Sequence, residues 1–211
     1  MSEVSRTSGF RGPTRARHSG ALAAGLVVVG VILAVLLMLG MWLGGAYNGM
    51  VTANTLVEQS GGNLDSQIKR RADLVPNLVA TVKGYATHER AVFADIANAR
   101  ASLLSADVAK KPAEAAAANS AFNGALGRLL AIAENYPQLK ADRGFIQLQD
   151  ELAGTENRIN YARIQFNEAV KDYNLKILTM PNALFAGMMG FTKRASFEAT
   201  PQEKVAPKVE F

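Results

Sequence analysis

An uncharged apolar run from Ala21 to Ala46, ALAAGLVVVGVILAVLLMLGMWLGGA, constrains this chain more than any other feature. At about 1.5 Å per helical residue it reaches roughly 39 Å, enough to cross a hydrocarbon core of about 30 Å with some tilt. Trp42 and Tyr47 stand at its far end, where amphipathic rings favour the headgroup level. A cleavable signal sequence competes with this reading, because Gly44-Gly45-Ala46 is a run of small residues. Signal apolar regions, at about 7–15 residues, are much shorter than this one. A buried helix of a soluble protein would need a surrounding core that the short polar tail before it does not supply. The expectation is an uncleaved single-pass anchor over 21–46.

Lys and Arg resist translocation, so the flank richer in them stays cytoplasmic. Arg6, Arg11, Arg15 and Arg17 precede the run against a single Glu3, and no charge follows it until Glu58. Residues 1–20 therefore read as a basic cytosolic tail, with Arg15 and Arg17 at one membrane face and Trp42 and Tyr47 at the other. Residues from 47 onward are placed outside the cell (inner) membrane. Four of the 23 Lys+Arg and one of the 18 Asp+Glu lie in the tail, so most of the formal charge of +5 does not belong to the domain. Such a tail suits anionic lipid. No nucleic-acid partner is expected, because Lys69-Arg70-Arg71 is the only basic cluster beyond the tail and consecutive helical residues fan around the axis. With no cysteine in the chain, disulfides, thiolate metal sites and a Cys nucleophile are excluded.

Residues 47–180 carry helical periodicity with few breaks. Phe145, Leu148, Leu152, Thr155, Ile159, Ala162, Phe166, Ala169 and Tyr173 alternate in steps of three and four, with Ile177 following. This is the seam that packs helix on helix at a shallow angle, and a helical Thr155 satisfies its hydroxyl on a carbonyl one turn back. A second long pattern runs through Val57, Leu64, Ile68, Val75, Val79, Val82 and Ala86. Gly61-Gly62 should loosen or bend it, and Pro76 lacks the donor that would bond back toward Ala72. At Pro76 the helix either kinks or breaks with Asp73 capping a new one, and the maintained apolar phase favours the kink. Shorter segments lie between, one marked by Phe93, Ile96 and Leu103, the next by Phe122, Leu126, Leu129 and Ile132. Asn135-Tyr136-Pro137 ends or bends the latter. Residues 181–211, with Pro201 and Pro207, lack a period and read as an extended or disordered tail. The sum is an all-α chain: one transmembrane helix, then an elongated antiparallel four-helix bundle.

Little in this bundle points to chemistry. A carboxylate-bridged metal site needs Glu-x-x-His on facing helices, and that motif does not occur; His88-Glu89 reads as a solvated turn or helix start. Gly61-Gly62 lacks the Lys-Ser/Thr of a phosphate loop and is better read as a hinge. Glu156-Asn157-Arg158 and Glu134-Asn135-Tyr136 concentrate polar groups, but a seam-packed bundle offers little of the cleft that acid–base work needs, and helix-to-helix hydrogen bonds or a solvated face are favoured. No catalytic residue, metal or cofactor is assigned, and the chain reads as non-enzymatic. One constellation stands out: Lys69, Arg70, Arg71, Asp73 and Asn77 crowd around Pro76. It is an Arg–carboxylate network holding the kink, or, with Glu156, Asn157 and Arg158, a surface on which a partner docks, or a site for anionic lipid or ligand.

At these residues the chain resembles the LemA family of bacterial membrane-anchored proteins. The stretches that carry the likeness are QIKRRADLVPNLVATVKGYATHE at 67–89, AENYPQLKA at 133–141, FIQLQDELAGTENRINYARIQFNEAVKDYN at 145–174, MPNALFAGMMGFTKRASFEA at 180–199 and the terminal PKVEF. The resemblance implies an N-terminal transmembrane helix and an elongated helical bundle. It implies no reaction. It links the chain to envelope stress and membrane-protein quality control, and through a related branch to the building of magnetosome membranes.

Three functions follow as expectations. The first is a scaffold or adaptor for other envelope proteins, as yet unidentified. The second is a lipid-interacting organiser or shaper of the membrane, including a magnetosome-type role. The third is a ligand-sensing bundle that borrows a separate output partner. A homo-oligomer is left open, since the seam is satisfied equally within one chain or between chains.

Overall fold

The computed structural model describes residues 18–198, with side chains from 24 onward. Arg15, Arg17 and the rest of residues 1–17 lie outside the described residues, as do 199–211. The chain divides into two units, Met1–Tyr47 and Asn48–Phe211. Helix α1 spans His18–Lys83, α2 Arg90–Ser105, α3 Pro112–Ile132, α4 Pro137–Lys140 and α5 Arg143–Leu178; short 3-10 turns occupy Ala133–Asn135 and Asn182–Leu184. No strand occurs among the described residues. The chain is all-α, as its periodicity implies, with α4 a single turn between the two long partners α3 and α5.

In the first unit, α1 is long and apolar enough to cross a membrane, and its large side chains from Leu26 to Met41 are exposed. Trp42 and Tyr47 remain 42% and 45% exposed at its end.

In the second unit the seam of α5 forms the core's axis: Phe145, Leu152, Thr155, Ile159, Ala162, Phe166, Ala169, Tyr173 and Ile177 are all buried. The Thr155 hydroxyl donates to the Leu152 carbonyl at 2.7 Å, which is how a polar residue sits on that seam. Helix α1 contributes Met50, Val57, Leu64, Ile68, Ala72, Val75, Leu78 and Val82. Past the proline Leu78 takes the fully buried place and Val79 is only half-buried. Helices α1 and α5 run antiparallel. Lys176 Nζ meets the Gly49 carbonyl at one end, Arg71 meets Glu156 in the middle, and Tyr85 Oη meets Asp142 Oδ2 at the other. Asp142 also starts α5, its Oδ1 accepting from the Phe145 amide at 2.9 Å as an N-cap. Helix α2 packs on α1 through Lys83 over Phe93, and Arg128 of α3 pairs with Asp95 of α2 at 3.3 Å.

The structure narrows two local expectations. Helix α1 continues unbroken through Gly61, Gly62 and Pro76, so Asp73 caps no new helix. At Gly61 the reason is packing: a Cβ there would lie 3.0 Å from Ala109 Cβ and 3.2 Å from the Phe166 ring. The glycine admits close neighbours within a continuous helix. The segment after Pro181 is also more specified than an aperiodic tail implies. After the turn at Asn182–Leu184, residues 192–198 lie extended along α5 without secondary structure of their own. Asn174 exchanges hydrogen bonds with the Arg194 backbone at 2.8 and 2.9 Å, and Asn167 does the same with Phe197 at 3.0 and 2.8 Å. Phe197 is buried at the end of this strap.

Candidate functional site

A proline inside a helix strands the carbonyl four residues back. Here that carbonyl is Ala72, and Arg100 of α2 supplies the missing donor: its Nε lies 2.9 Å from the Ala72 oxygen. The same guanidinium reaches Asp73 Oδ1 at 3.2 Å. Pro76 is thereby tolerated without a break, and α2 is fixed to α1 at that height.

One residue earlier, Arg71 turns inward. Its side chain is 9% exposed, and its Nη1 donates to Glu156 Oε2 across the α1–α5 contact. The guanidinium carbon stands 5.7 Å from the Phe122 ring centroid of α3, within cation–π range. Burial pulls the Arg71 guanidinium below its ordinary pKa, with the Glu156 charge acting the other way. An arginine stays charged through such a shift, so the pair is an ion pair. Arg71 Nε has no hydrogen-bond partner, nor have Asn119 Oδ1 and Asn123 Oδ1 on α3. Asn160 adds a long contact of 3.4 Å to Glu156 Oε1. This layer joins three helices and holds their relative rotation.

The remaining expected site residues face outward. Lys69 is exposed and pairs with Asp65 one turn back, which raises its pKa, first through the hydrogen bond and then through the charge. Arg70 of α1 and Arg158 of α5 border one shallow groove with Asp150, Glu151 and Gln147. Lys69, Arg70, Asp65 and Asp73 border an adjoining hollow. Asn157 belongs to a third hollow, beside Arg158, Asn63, Gln67 and Tyr161. Asn77 is exposed and borders none of these; its carbonyl accepts from Thr81 Oγ1. The constellation thus separates into an inner ion pair, Arg71–Glu156, and an outer mixed-charge face centred on Arg70 and Arg158.

Residue spacing alone does not reveal Arg100 or Arg194. Arg194 reaches from the extended strap to Asn54 Oδ1 at 2.9 Å and Glu58 Oε1 at 3.3 Å on α1. Its Nη1 also donates to the Ala109 carbonyl at 3.4 Å. An open hollow of about 880 Å³ lies between the start of α3, α5 and this strap, bordered by Ala113, Ala117, Lys171, Lys193 and Glu198. The seven-residue spacing of Asn167 and Asn174 is the one signal that could have indicated a ladder along α5.

The model of the LemA family matches residues 60–211. The magnetosome protein MamQ of Magnetospirillum gryphiswaldense is 26% identical over 178 residues, covering 74% of this chain and 65% of the relative. MamQ 1 of Paramagnetospirillum magneticum is 25% identical over the same length and shares. Protein LemA of Metamycoplasma hominis is 26% identical over 163 residues, 76% of this chain and 73% of that protein. The likeness therefore spans a little under two thirds of the MamQ proteins' length.

Proposed function

The chain belongs to the LemA family, and from that premise we propose that it is a non-enzymatic, single-pass membrane protein whose bundle serves as a scaffold or adaptor for other envelope proteins. The observation that carries this reading is the division of labour around Pro76. The inner charges are committed to holding helices together, Arg71 with Glu156 and Arg100 with Ala72 and Asp73. The outer charges, Arg70 and Arg158, border open grooves that need no internal rearrangement to meet a partner. A rigid, shallow, mixed-charge face suits protein recognition, where complementary charge sets register and partner choice. We assign the anchor to the cell (inner) membrane with the N-terminus cytoplasmic, on the strength of the four arginines that precede it.

Residue-specific crosslinking of the full-length protein in cells, read by mass spectrometry from Lys69 and Lys83, tests the proposal. Reproducible links to particular envelope proteins should vanish in the Arg70→Glu, Arg158→Glu variant while the bundle stays folded. An unchanged link profile would count against this face.

A second reading is a lipid-interacting organiser of the membrane, including a magnetosome-type role. The likeness to proteins named magnetosome protein MamQ supports it. Self-links alone, with lipid co-purifying, would favour it over the adaptor.

A further inference from the structure

The end of α5 and the turn after it leave large apolar side chains pointing away from the core. Leu178, Met180, Leu184 and Met188 are 59%, 69%, 58% and 86% exposed. They are not loose ends of a mobile chain. Thr179 bonds back to the Leu175 carbonyl through both its amide and its hydroxyl, at 2.9 and 2.8 Å, and Asn182 Nδ2 donates to the Lys176 carbonyl at 2.9 Å. Within the same stretch Ala186 is buried, Met189 and Phe191 pack against the core, and the Phe191 amide closes on the Ala186 carbonyl at 2.9 Å. Gly190 takes a φ of 82° that makes the turn. The segment thus packs some apolar residues inward and presents others outward on a fixed frame.

Two further observations say what covers them. Lys176 Nζ donates to the Gly49 carbonyl at 3.2 Å, which ties this end of α5 to the first turn of the second unit. Gly49 follows the apolar run by three residues, a chain length of at most about 11 Å. The end of α5, with Leu178 two residues beyond Lys176, is therefore tethered within a short reach of the end of the apolar run, whichever side the bundle occupies. Charge agrees with this. From Tyr173 to Phe197 there is no carboxylate, and Lys176 and Lys193 are both exposed. A stretch with exposed apolar side chains, cations and no acid has the composition of a surface that sits at a headgroup–acyl boundary.

We propose that Leu178, Met180, Leu184 and Met188 form an apolar foot that enters the lipid interface of the membrane crossed by residues 21–46, giving the bundle a second membrane contact. The inference rests on the anchor reading and not on the adaptor face, which lies around Arg70 and Arg158. With this foot in the lipid, the bundle is held against the membrane at a fixed orientation.

The chain has no cysteine, so single-cysteine variants need no background substitution. Full-length Met188→Cys, Met180→Cys, Leu33→Cys and Tyr161→Cys proteins, each carrying a nitroxide, would be placed in nanodiscs containing anionic lipid. Collision with oxygen, which partitions into lipid, is compared with collision with a water-soluble nickel complex. Oxygen should dominate at 188 and 180, as at 33 in the anchor, while nickel dominates at 161 on the exposed face of α5. Nickel-dominated signals at both 188 and 180 with a lipid-buried 33 overturn the foot and leave the anchor standing. A nickel-dominated signal at 33 overturns both. Protection of 188 and 180 from both reagents would show protein contact there and also overturns the proposal.

Discussion

Arg100 donates from Nε to the Ala72 carbonyl, 2.9 Å away, at the one place in α1 where Pro76 removes the backbone donor. The two residues, 24 apart in the chain, repair each other's cost: a proline that interrupts the ladder and a half-buried cation that needs an acceptor. Removing the guanidinium in Arg100→Ala leaves a carbonyl unmet and should destabilise the bundle by about 1–3 kcal/mol. In a Pro76→Ala background the helix supplies its own amide to Ala72, so the cost of Arg100→Ala should shrink. Urea unfolding of the four combinations measures the coupling. Equal costs of Arg100→Ala in both backgrounds would show that the Ala72 bond contributes nothing.

The Arg71–Glu156 pair makes an asymmetric prediction. Glu156→Ala leaves a buried guanidinium with no counter-charge, a loss of about 3 kcal/mol, toward the low end for buried pairs because Glu156 itself is partly solvated. Replacing both members with apolar residues of similar length, Arg71→Met with Glu156→Leu, should recover most of that stability. A double variant as unstable as Glu156→Ala alone would mean that the pair is needed for its own geometry. Denaturant midpoints of the three proteins decide between these outcomes.

Asp142 and Tyr85 should give stability a pH window. The Phe145 amide and then the Tyr85 hydroxyl hold the Asp142 carboxyl below its ordinary pKa. Its contribution is therefore present above the unfolded carboxylate pKa and lost as pH falls through the folded one. The hydrogen bond to Asp142, and then its charge, raise the Tyr85 pKa above 10.0. That contribution is complete below the unfolded value and lost as pH rises through the folded one. Ultraviolet titration of the phenols should show Tyr85 ionising at lower pH in Asp142→Asn than in the parent protein. A titration curve unmoved by the substitution would deny the bond in solution.

How much of this was legible depended on distance along the chain. The seam of α5 was readable because every core position lies three or four residues from the next, and Thr155 fits by bonding its own helix at Leu152. Helix α1 was readable until Pro76, where Leu78 and not Val79 takes the buried place. The pairing of Arg71 with Glu156, 85 residues on, and of Arg100 with Ala72, 28 back, had no local signal. Each depends on which helix faces become neighbours, which the spacing within one helix does not state. The strap over 192–198 was opaque for a related reason. An extended chain has no period, and its backbone is satisfied by Asn167 and Asn174 from α5 instead of by its own ladder.

The adjacent glycines of α1 supply the sharpest contrast, because identical substitutions there should act with opposite signs. Either glycine lowers helix stability by about 1 kcal/mol relative to alanine. At Gly62 an added Cβ meets nothing within 4 Å, so Gly62→Ala should stabilise by roughly that amount. At Gly61 the same Cβ meets Ala109 Cβ at 3.0 Å, its Cα at 3.2 Å and the Phe166 ring at 3.2 Å. Backbone cannot retreat there without parting the α2–α3 connection from α1, so Gly61→Ala should lose about 1–3 kcal/mol to overpacking, outweighing the helical gain. Thermal or urea unfolding of the two single variants, side by side, measures both. Stabilisation by both substitutions would mean that the close approach at Gly61 relaxes freely, and that this glycine does not hold the connection against α1.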